Sequence, residues 1–365
     1  MASFKIAHIE LHEFRSFVSF EDEVAPKTNI VLGANARGKT NLIEAIQLLT
    51  MLESFRNPSW DDVVHWGAAA ARTDIGARSE NRSVEVGAVY TKEGRSFHYN
   101  GNRRQRGELL GLIPGVLFTP DDLYLVKGAP QKRRVALDAL GEQLSPIYYR
   151  LRTDYERVVA QRNKLLKDSL TTRDILASWT DSLISMGMLL LQHRQNLFKI
   201  VSGHMNAIFP SLAPEEEFSL SYQSSWGRQL QSTSNFDEAD VRRLYTSELL
   251  QQEREQHMSL YGPHRDEINF FIGSRDARRY ASQGQQRTIA LAWKLAEVET
   301  ILEVSGKLPV LLLDDVMSEL DETRRHALVA YVGQRDLQSF ITSANREYFS
   351  AEMLQDAHVI DLNTP

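Results

Sequence analysis

The chain has 365 residues, 42% apolar and 25% charged, ordinary for a soluble globular protein and long enough for two domains or one large elaborated one. It contains no cysteine, which excludes disulfides and cysteine-based zinc sites, and its ten histidines lack metal-ligand spacing. The net charge of −6 sets up no global basic field, so nucleic acid would have to be met by local clusters; no apolar run approaches the roughly 18 residues of a membrane span and no signal-peptide core opens the chain, so a cytoplasmic protein with no membrane partner is expected.

Ile6, His8, Ile9 and Leu11 suggest a first strand, and residues 17–20 a second. An apolar run, Asn29-Ile30-Val31-Leu32, then leads into Gly33-Ala34-Asn35-Ala36-Arg37-Gly38-Lys39-Thr40, followed by a helical pattern over 41–52. Residues 73–78, 84–90 and 95–99 read as an antiparallel sheet, with Tyr99-Asn100-Gly101-Asn102 as a hairpin turn because Asn and Gly tolerate positive φ. From about 130 to 210 the pattern turns helical. Ile147, Leu151, Tyr155, Val158 and Leu165 share one face, and Ile175, Trp179, Leu183, Met186, Leu190, Leu197, Val201 and Met205 share another, which predicts an antiparallel helical arm too short for a long coiled coil. A strand near 215–225 and a helix over 238–257 follow. The tail returns to α/β: a strand at 268–272, a helix over 285–303, a buried strand Val310-Leu311-Leu312-Leu313, a helix over 322–331, and strands at 339–342 and 359–362.

Chemistry concentrates in three segments. The first fits G-x-x-x-x-G-K-[ST] between a strand and a helix, the pattern that wraps backbone amides and a helix N-terminus around a triphosphate. There Lys39 reaches the β and γ phosphates and the Thr40 hydroxyl binds Mg²⁺; the bland alternative is a Gly-rich turn that happens to precede Lys-Thr. The second is the apolar strand ending in Asp314-Asp315, where Asp314 holds Mg²⁺ through water and Asp315 orients the attacking water, against the alternative of an ordinary acidic turn. The third is Ser282-Gln283-Gly284-Gln285 at the start of a helix, an anion site at a helix N-terminus or simply a capped helix. Ser318-Glu319-Leu320-Asp321 follows the acidic pair, with Asp321 also a good N-cap.

Taken together these segments resemble one family. Gly33-x-Asn35-x-x-Gly38-Lys39-Thr40-Asn41 with Phe14-Arg15-Ser16-Phe17, Gly128-x-Pro130-x-x-Arg133-Arg134, Tyr261-Gly262-Pro263-His264-Arg265-Asp266, Ser282-Gln283-Gly284-Gln285 and Leu313-Asp314-Asp315-Val316-x-Ser318-Glu319-Leu320-Asp321 are similar to the bacterial RecF recombination-repair family, SMC-like ATPase heads, over nearly the whole chain. The resemblance implies an α/β ABC-type P-loop ATPase head with an antiparallel β subdomain and an inserted helical lobe. It divides the chain into a discontinuous head, 1–129 with 261–365, and a mainly helical lobe, 130–260. It also implies ATP and Mg²⁺ as ligands, with Gly33, Ala34, Asn35, Ala36, Arg37, Gly38, Lys39, Thr40 and Asn41 binding nucleotide. Asp315 and Lys39 would be catalytic, Thr40 and Asp314 would bind the metal, Ser282 to Gln285 would act in trans as the signature, and Ser318 and Asp321 would form the D-loop of an ATP-dependent homodimer. DNA, RecR and RecO are the implied partners, and loading of RecA the implied role. The chain departs from the general ABC pattern by having Asp315 in place of Glu, no histidine in Phe340-Ile341-Thr342-Ser343-Ala344-Asn345, and no glutamine near Phe118-Thr119-Pro120-Asp121, so weak hydrolysis is expected.

Candidate DNA contacts are Arg103, Arg104 and Arg106 beside the hairpin turn, and Lys132, Arg133 and Arg134; solvated charge, or a bridge from Arg134 to Asp121 or Asp122, is the alternative. His264 has no clustered second ligand and reads as a turn residue. A metabolic phosphotransferase would leave the 282–285 segment and the helical insert unexplained, a structural SMC-like head would need long heptad arms, and a nuclease would need a further acidic metal-binding domain.

Overall fold

The computed structural model describes residues 3–56, 59–231 and 236–363. Its strands, in chain order, are β1 Lys5–Phe14, β2 Phe17–Glu23, β3 Thr28–Leu32, β4 Ala70–Ser79, β5 Arg82–Thr91, β6 Gly94–Tyr99, β7 Asn102–Arg104, β8 Gly115–Phe118, β9 Phe218–Gln223, β10 Glu267–Ile272, β11 Arg275–Asp276, β12 Val310–Leu313, β13 Ser339–Ser343 and β14 His358–Asp361. The chain forms two compact units, Met1–Asp122 with Ala290–Pro365, and Leu123–Ile289.

In the first unit a parallel sheet runs in the order β14-β3-β13-β12-β8. Its inner strands are apolar runs such as Ile30 to Leu32 and Val310 to Leu313, buried on both faces as a covered parallel sheet requires. A six-stranded antiparallel sheet, β2-β1-β4-β5-β6-β7, lies beside it. The helix Lys39–Thr50 touches strands of both sheets, and residues Leu42 to Thr50 are all buried, so it is a core helix with no solvent face. The turn between β6 and β7 has Asn100 at φ 49 and Gly101 at φ 75, the two left-handed residues that a two-residue hairpin needs. Strand β8 was not legible: four apolar residues carry no period, and pairing with β12 makes them a strand.

In the second unit the helices Pro130–Leu144, Pro146–Lys167 and Arg173–Leu212 pack beside the small sheet β11-β10-β9. Tyr148, Tyr155, Val158, Leu183 and Leu190 form one core cluster, and Ile184, Leu191, Trp226 and Val241 another. A Cβ on Gly187 would stand 2.4 Å from the Trp226 ring, so only glycine lets that indole seat against the helix. Two expectations for this region change. Ile147 is 66% exposed and Ile175 49% exposed, because at those helix ends the neighbouring Tyr148 and Leu176 take the inward positions. The single helix expected over 238–257 is two, Glu238–Leu244 and Ser247–Gln256, since Thr246 caps the second by accepting from the Leu249 amide.

The helix Arg173–Leu212 meets the length and apolarity of a membrane span, contrary to the expectation that no stretch would. Its inward positions are already covered, and Arg194, fully ion-paired to Asp138 at 2.7 Å, sits among them, as in the core helix of a globular unit. The units also divide elsewhere than at 130 and 261. Strand β10 pairs along its whole length with β9, which draws residues 261–289 into the second unit, and the helix Gln283–Ser305 begins there and ends in the first.

Candidate functional site

Strand β3 ends at Leu32 and the loop 33–40 rises from it, with Ala34, Asn35, Ala36 and Arg37 exposed at its crest. The left-handed residues are Ala36 at φ 67 and Gly38 at φ 99; Gly33 is needed instead for proximity, its Cβ position lying 3.3 Å from Leu362. At Gly38 a Cβ would meet the Phe17 ring and the Ser16 hydroxyl, both at 3.0 Å, so the β1–β2 turn leaves no room for a side chain where the helix begins. Lys39 is 7% exposed and its ammonium donates to the carbonyls of Gly33 at 2.7 Å and Ala34 at 3.1 Å, a point charge tucked beneath the loop. The Asn363 side chain accepts from the Ala34 amide at 2.8 Å and fastens the loop to the end of β14.

The acidic pair stands beside this loop. In the sheet, β13 separates β3 from β12, and all three point their C-terminal ends the same way. The Thr40 hydroxyl donates to Asp314 Oδ1 at 3.2 Å across 274 positions of sequence. The Thr342 hydroxyl donates to the same oxygen at 2.9 Å and accepts from the Asp315 amide at 2.8 Å. Burial pushes the Asp314 carboxyl above its ordinary value, opposed by those two hydroxyls and by the Arg56 charge. Asp315 takes φ 53 and is half-buried, caught at the turn where the strand gives way to the helix Val316–Glu319. A hydroxyl and a carboxylate are hard oxygen donors, and no group of three His, Cys, Asp or Glu among the described residues is placed to hold a metal ion, so this donor set suits Mg²⁺, which keeps water and phosphate in its shell, and not a protein-caged metal.

Two residues of the site escaped sequence reasoning. Thr342 lies in the stretch Phe340 to Asn345 that lacks a histidine, and a hydroxyl near the end of the strand beside Asp314 was the available signal. Arg56 donates to Asn41 Oδ1 at 2.8 Å and to Glu44 at 3.0 Å, while Arg15 grips Glu44 at 2.8 and 3.0 Å and Ser54 donates to it at 2.7 Å. Glu44 is fully buried, so these partners compensate a charge that would otherwise be costly, and they place Arg56 where its field reaches Asp314.

The segment Ser282-Gln283-Gly284-Gln285 lies in the second unit with Ser282 and Gln283 exposed. Ser282 accepts from the Gln285 amide at 3.2 Å and Gln285 Oε1 accepts from the Ser282 amide at 2.8 Å, a reciprocal capping box. Asp321 caps the helix Glu322–Gly333 by accepting from the Arg324 amide at 2.9 Å and pairs with the Arg324 guanidinium; Ser318 donates to the Asp315 carbonyl at 2.8 Å.

The basic candidates divide. Arg103 is exposed on β7, Arg104 pairs loosely with Glu108 at 3.5 Å, Arg106 pairs with Glu53 at 3.1 Å, and Lys132 is exposed. Arg133 is a correction: it is 2% exposed, pairs with Glu267 at 2.6 Å and donates to the carbonyls of Leu125, Val126 and Gly128, so no phosphate can reach it. Arg134 is half-buried and donates to the Asp266 carbonyl at 2.6 Å, not to Asp121 or Asp122, and burial lowers its pKa. Arg133→Ala is therefore expected to destabilise the protein by about 3 kcal/mol or more, by leaving Glu267 without its partner. Urea unfolding reads the loss.

His264 is structural, as expected. Tyr155 donates to its Nδ1 at 2.8 Å, its Nε2 lies 3.1 Å from the Ser259 carbonyl, and burial lowers its pKa to about 4. The neighbouring Arg265, Arg134 and Arg194 charges act in the same direction.

Residues 5–360 match the family model of the RecF/RecN/SMC N terminal domain. The chain is 33% identical to the DNA replication and repair protein RecF of Halalkalibacterium halodurans over 362 residues, 98% of this chain and 97% of that one. It is 38% identical to RecF of Symbiobacterium thermophilum over 353 residues, 94% of this chain and 92% of that one. Among solved structures, the recombination mediator protein RecF-ATPrS in the RecFOR pathway superposes with a TM-score of 0.87 at 30% identity, covering 96% of this chain and 95% of that one. RecF-ATP of the same pathway gives 0.84 at 31%, covering 94% of each. The Smc head domain derived from Pyrococcus furiosus, 17% identical with a TM-score of 0.57 over 98% of this chain and 93% of that one, shares the fold. The architecture is that of an ABC-type ATPase head.

Proposed function

Because this chain belongs to the RecF/RecN/SMC N-terminal domain family, and within it to the RecF proteins of DNA replication and repair, we propose that it is an ATP-gated DNA-binding protein that dimerises around nucleotide. The observation that carries this reading is the 3.2 Å contact between Thr40 and Asp314, which brings the loop 33–40 and the acidic strand together at one place. ATP seats its phosphates on the amides of that loop, with Gly33 to Asn41 around it and Lys39 on the β and γ phosphates. Thr40 and Asp314 hold Mg²⁺, which neutralises phosphate charge. Asp315 orients the attacking water, and Arg56 adds positive charge on the side of Asp314. Ser282 to Gln285 of a second copy cap the γ-phosphate, with Ser318 and Asp321 along the two-fold axis.

Turnover is slow in this reading. Asp315 is one methylene shorter than glutamate, and the position after β13 has no histidine, so proton transfer from water is poorly assisted. A rate well under the ~10 s⁻¹ median of enzymes is expected, with ATP serving as a dimerisation switch. The protein acts in the cytoplasm with RecO and RecR to promote loading of RecA.

DNA is met through phosphates by Arg103, Arg104 and Arg106, with Lys132 as a further contact. The double substitution Arg103→Ala/Arg104→Ala should lower the slope of log affinity against log salt by about 1 to 2, with little change in sequence preference. An unchanged slope removes these arginines from the interface. The function as a whole is tested by sedimentation with ATP, ADP or no nucleotide, each with and without duplex DNA: ATP with DNA should give dimers, and a monomer under every condition would overturn the proposal.

A further inference from the structure

Position 342 carries a hydroxyl inside a covered parallel sheet. Strand β13 lies between β3 and β12, its residues Ser339 to Ser343 are all buried, and Thr342 has no exposed surface. A hydroxyl there costs free energy unless it is bonded, and valine has nearly the same shape without that cost. The pairing of β13 with β12 ends at Ile341 opposite Leu313, while its pairing with β3 runs on through Thr342 opposite Val31 and Ser343 opposite Leu32. Where the backbone ladder to β12 stops, the Thr342 side chain takes over. Its oxygen accepts from the Asp315 amide at 2.8 Å, and its one proton goes to Asp314 Oδ1 at 2.9 Å. Both bonds of this hydroxyl therefore go to the two consecutive residues of the acidic pair.

The two bonds act on different things. Asp315 has φ 53, a left-handed conformation that a residue with a Cβ adopts only when its surroundings hold it there. Its amide is held by a side chain from the next strand, so Thr342 helps to set the turn that carries the Asp315 carboxylate. At Asp314 the same hydroxyl shares Oδ1 with the Thr40 hydroxyl, which lies at 3.2 Å. Two donors on one oxygen hold the carboxylate in one rotation, which is what a metal-binding carboxylate needs from its outer partners. The methyl and hydroxyl of Thr342 are thus separable: the methyl fills the sheet interior, and the hydroxyl serves the pair.

We propose that Thr342 is a positioning residue of the ATP site, whose single hydroxyl aligns the metal-binding Asp314 with the water-orienting Asp315. The inference rests on the roles proposed for those two carboxylates and goes beyond them by assigning their alignment to the neighbouring strand. A role confined to packing the sheet is filled by valine as well as by threonine. A role in alignment is filled by serine and not by valine.

Titration of the full chain with a fluorescent ATP analogue, in EDTA and over a range of Mg²⁺ concentrations, reads this without turnover. Substitution at 342 leaves the loop 33–40 unaltered, so affinity in EDTA should stay within about threefold in every variant. In the unaltered protein Mg²⁺ should raise the affinity. In Thr342→Val the Mg²⁺ concentration giving half of that gain should rise about tenfold or more, the usual effect of removing an outer partner of a metal ligand. Single-turnover hydrolysis at saturating Mg²⁺ should still be about tenfold low or more, because Asp315 has also lost its hold. Thr342→Ser should bring both quantities to within about threefold of normal. Thr342→Cys, whose thiol is a weak donor and acceptor, should shift both in the direction of valine, and it gives the reading if valine does not fold. A valine or cysteine variant with the Mg²⁺ requirement of the unaltered protein overturns the proposal, as does a serine variant as impaired as valine. An unaltered protein whose affinity ignores Mg²⁺ defeats the proposed metal site itself, a separate result.

Discussion

Ser282→Arg is expected to give a chain that folds and binds ATP as a monomer but does not form the proposed ATP-dependent dimer. Ser282 is exposed, and its folding contribution is a cap: its hydroxyl accepts from the Gln285 amide, while its own amide donates to Gln285 Oε1. Arginine has no acceptor, so that half of the capping box is lost at a cost of about 1 kcal/mol, but the amide half can persist. The loop 33–40 and Asp314 are in the other unit, so monomer affinity for ATP should move by no more than about threefold, under 1 kcal/mol. In the proposed dimer the helix-end amides come within hydrogen-bond distance of a neighbour's phosphate, and a long side chain at the first position would keep them apart. A loss of about 100-fold or more in dimer affinity is expected, and Ser282→Ala, which lacks the bulk, should fall between the two proteins. Equilibrium sedimentation with ATP and DNA decides it: dimers of normal strength from Ser282→Arg would remove this segment from the interface.

Lys39→Arg is expected to lose about 100-fold in single-turnover hydrolysis, the usual cost of misplacing one preorganised charge. The ammonium fits beneath the loop because it is compact, bonding the Gly33 and Ala34 carbonyls from a 7% exposed site. A planar guanidinium cannot occupy that space without lifting the loop, and cannot reproduce a point charge between two phosphates. Lys39→Met removes the charge and should weaken ATP binding as well as turnover. Fluorescent-nucleotide titration separates the two variants, and hydrolysis by Lys39→Arg within about tenfold of normal would mean that this lysine does not meet the transferring phosphate.

The local chemistry of this protein was legible because it is written in contiguous residues. Gly38 takes φ 99, a local conformation that favours glycine, Ser282 and Gln285 cap each other three positions apart, and an apolar run ending in Asp314-Asp315 announces a strand that delivers carboxylates. The hairpin at Asn100-Gly101 was equally plain, since two left-handed residues in succession allow few alternatives. The basic runs were not legible in the same way. Lys132 and Arg133 are neighbours of one charge, yet one is exposed and the other is enclosed by Glu267 and three carbonyls, because a helix turns successive side chains to different faces.

Motif identity, the 33–40 loop and the positions of most core strands thus follow from the linear pattern, since backbone conformation and apolar runs are governed by near neighbours. The roles of Thr342 and Arg56, the burial of Arg133 and the division at Asp122 and Ile289 arise only on folding. Each depends on partners far apart in the chain, and the burial that gives a charge or a hydroxyl its energetic meaning does not exist until those partners meet.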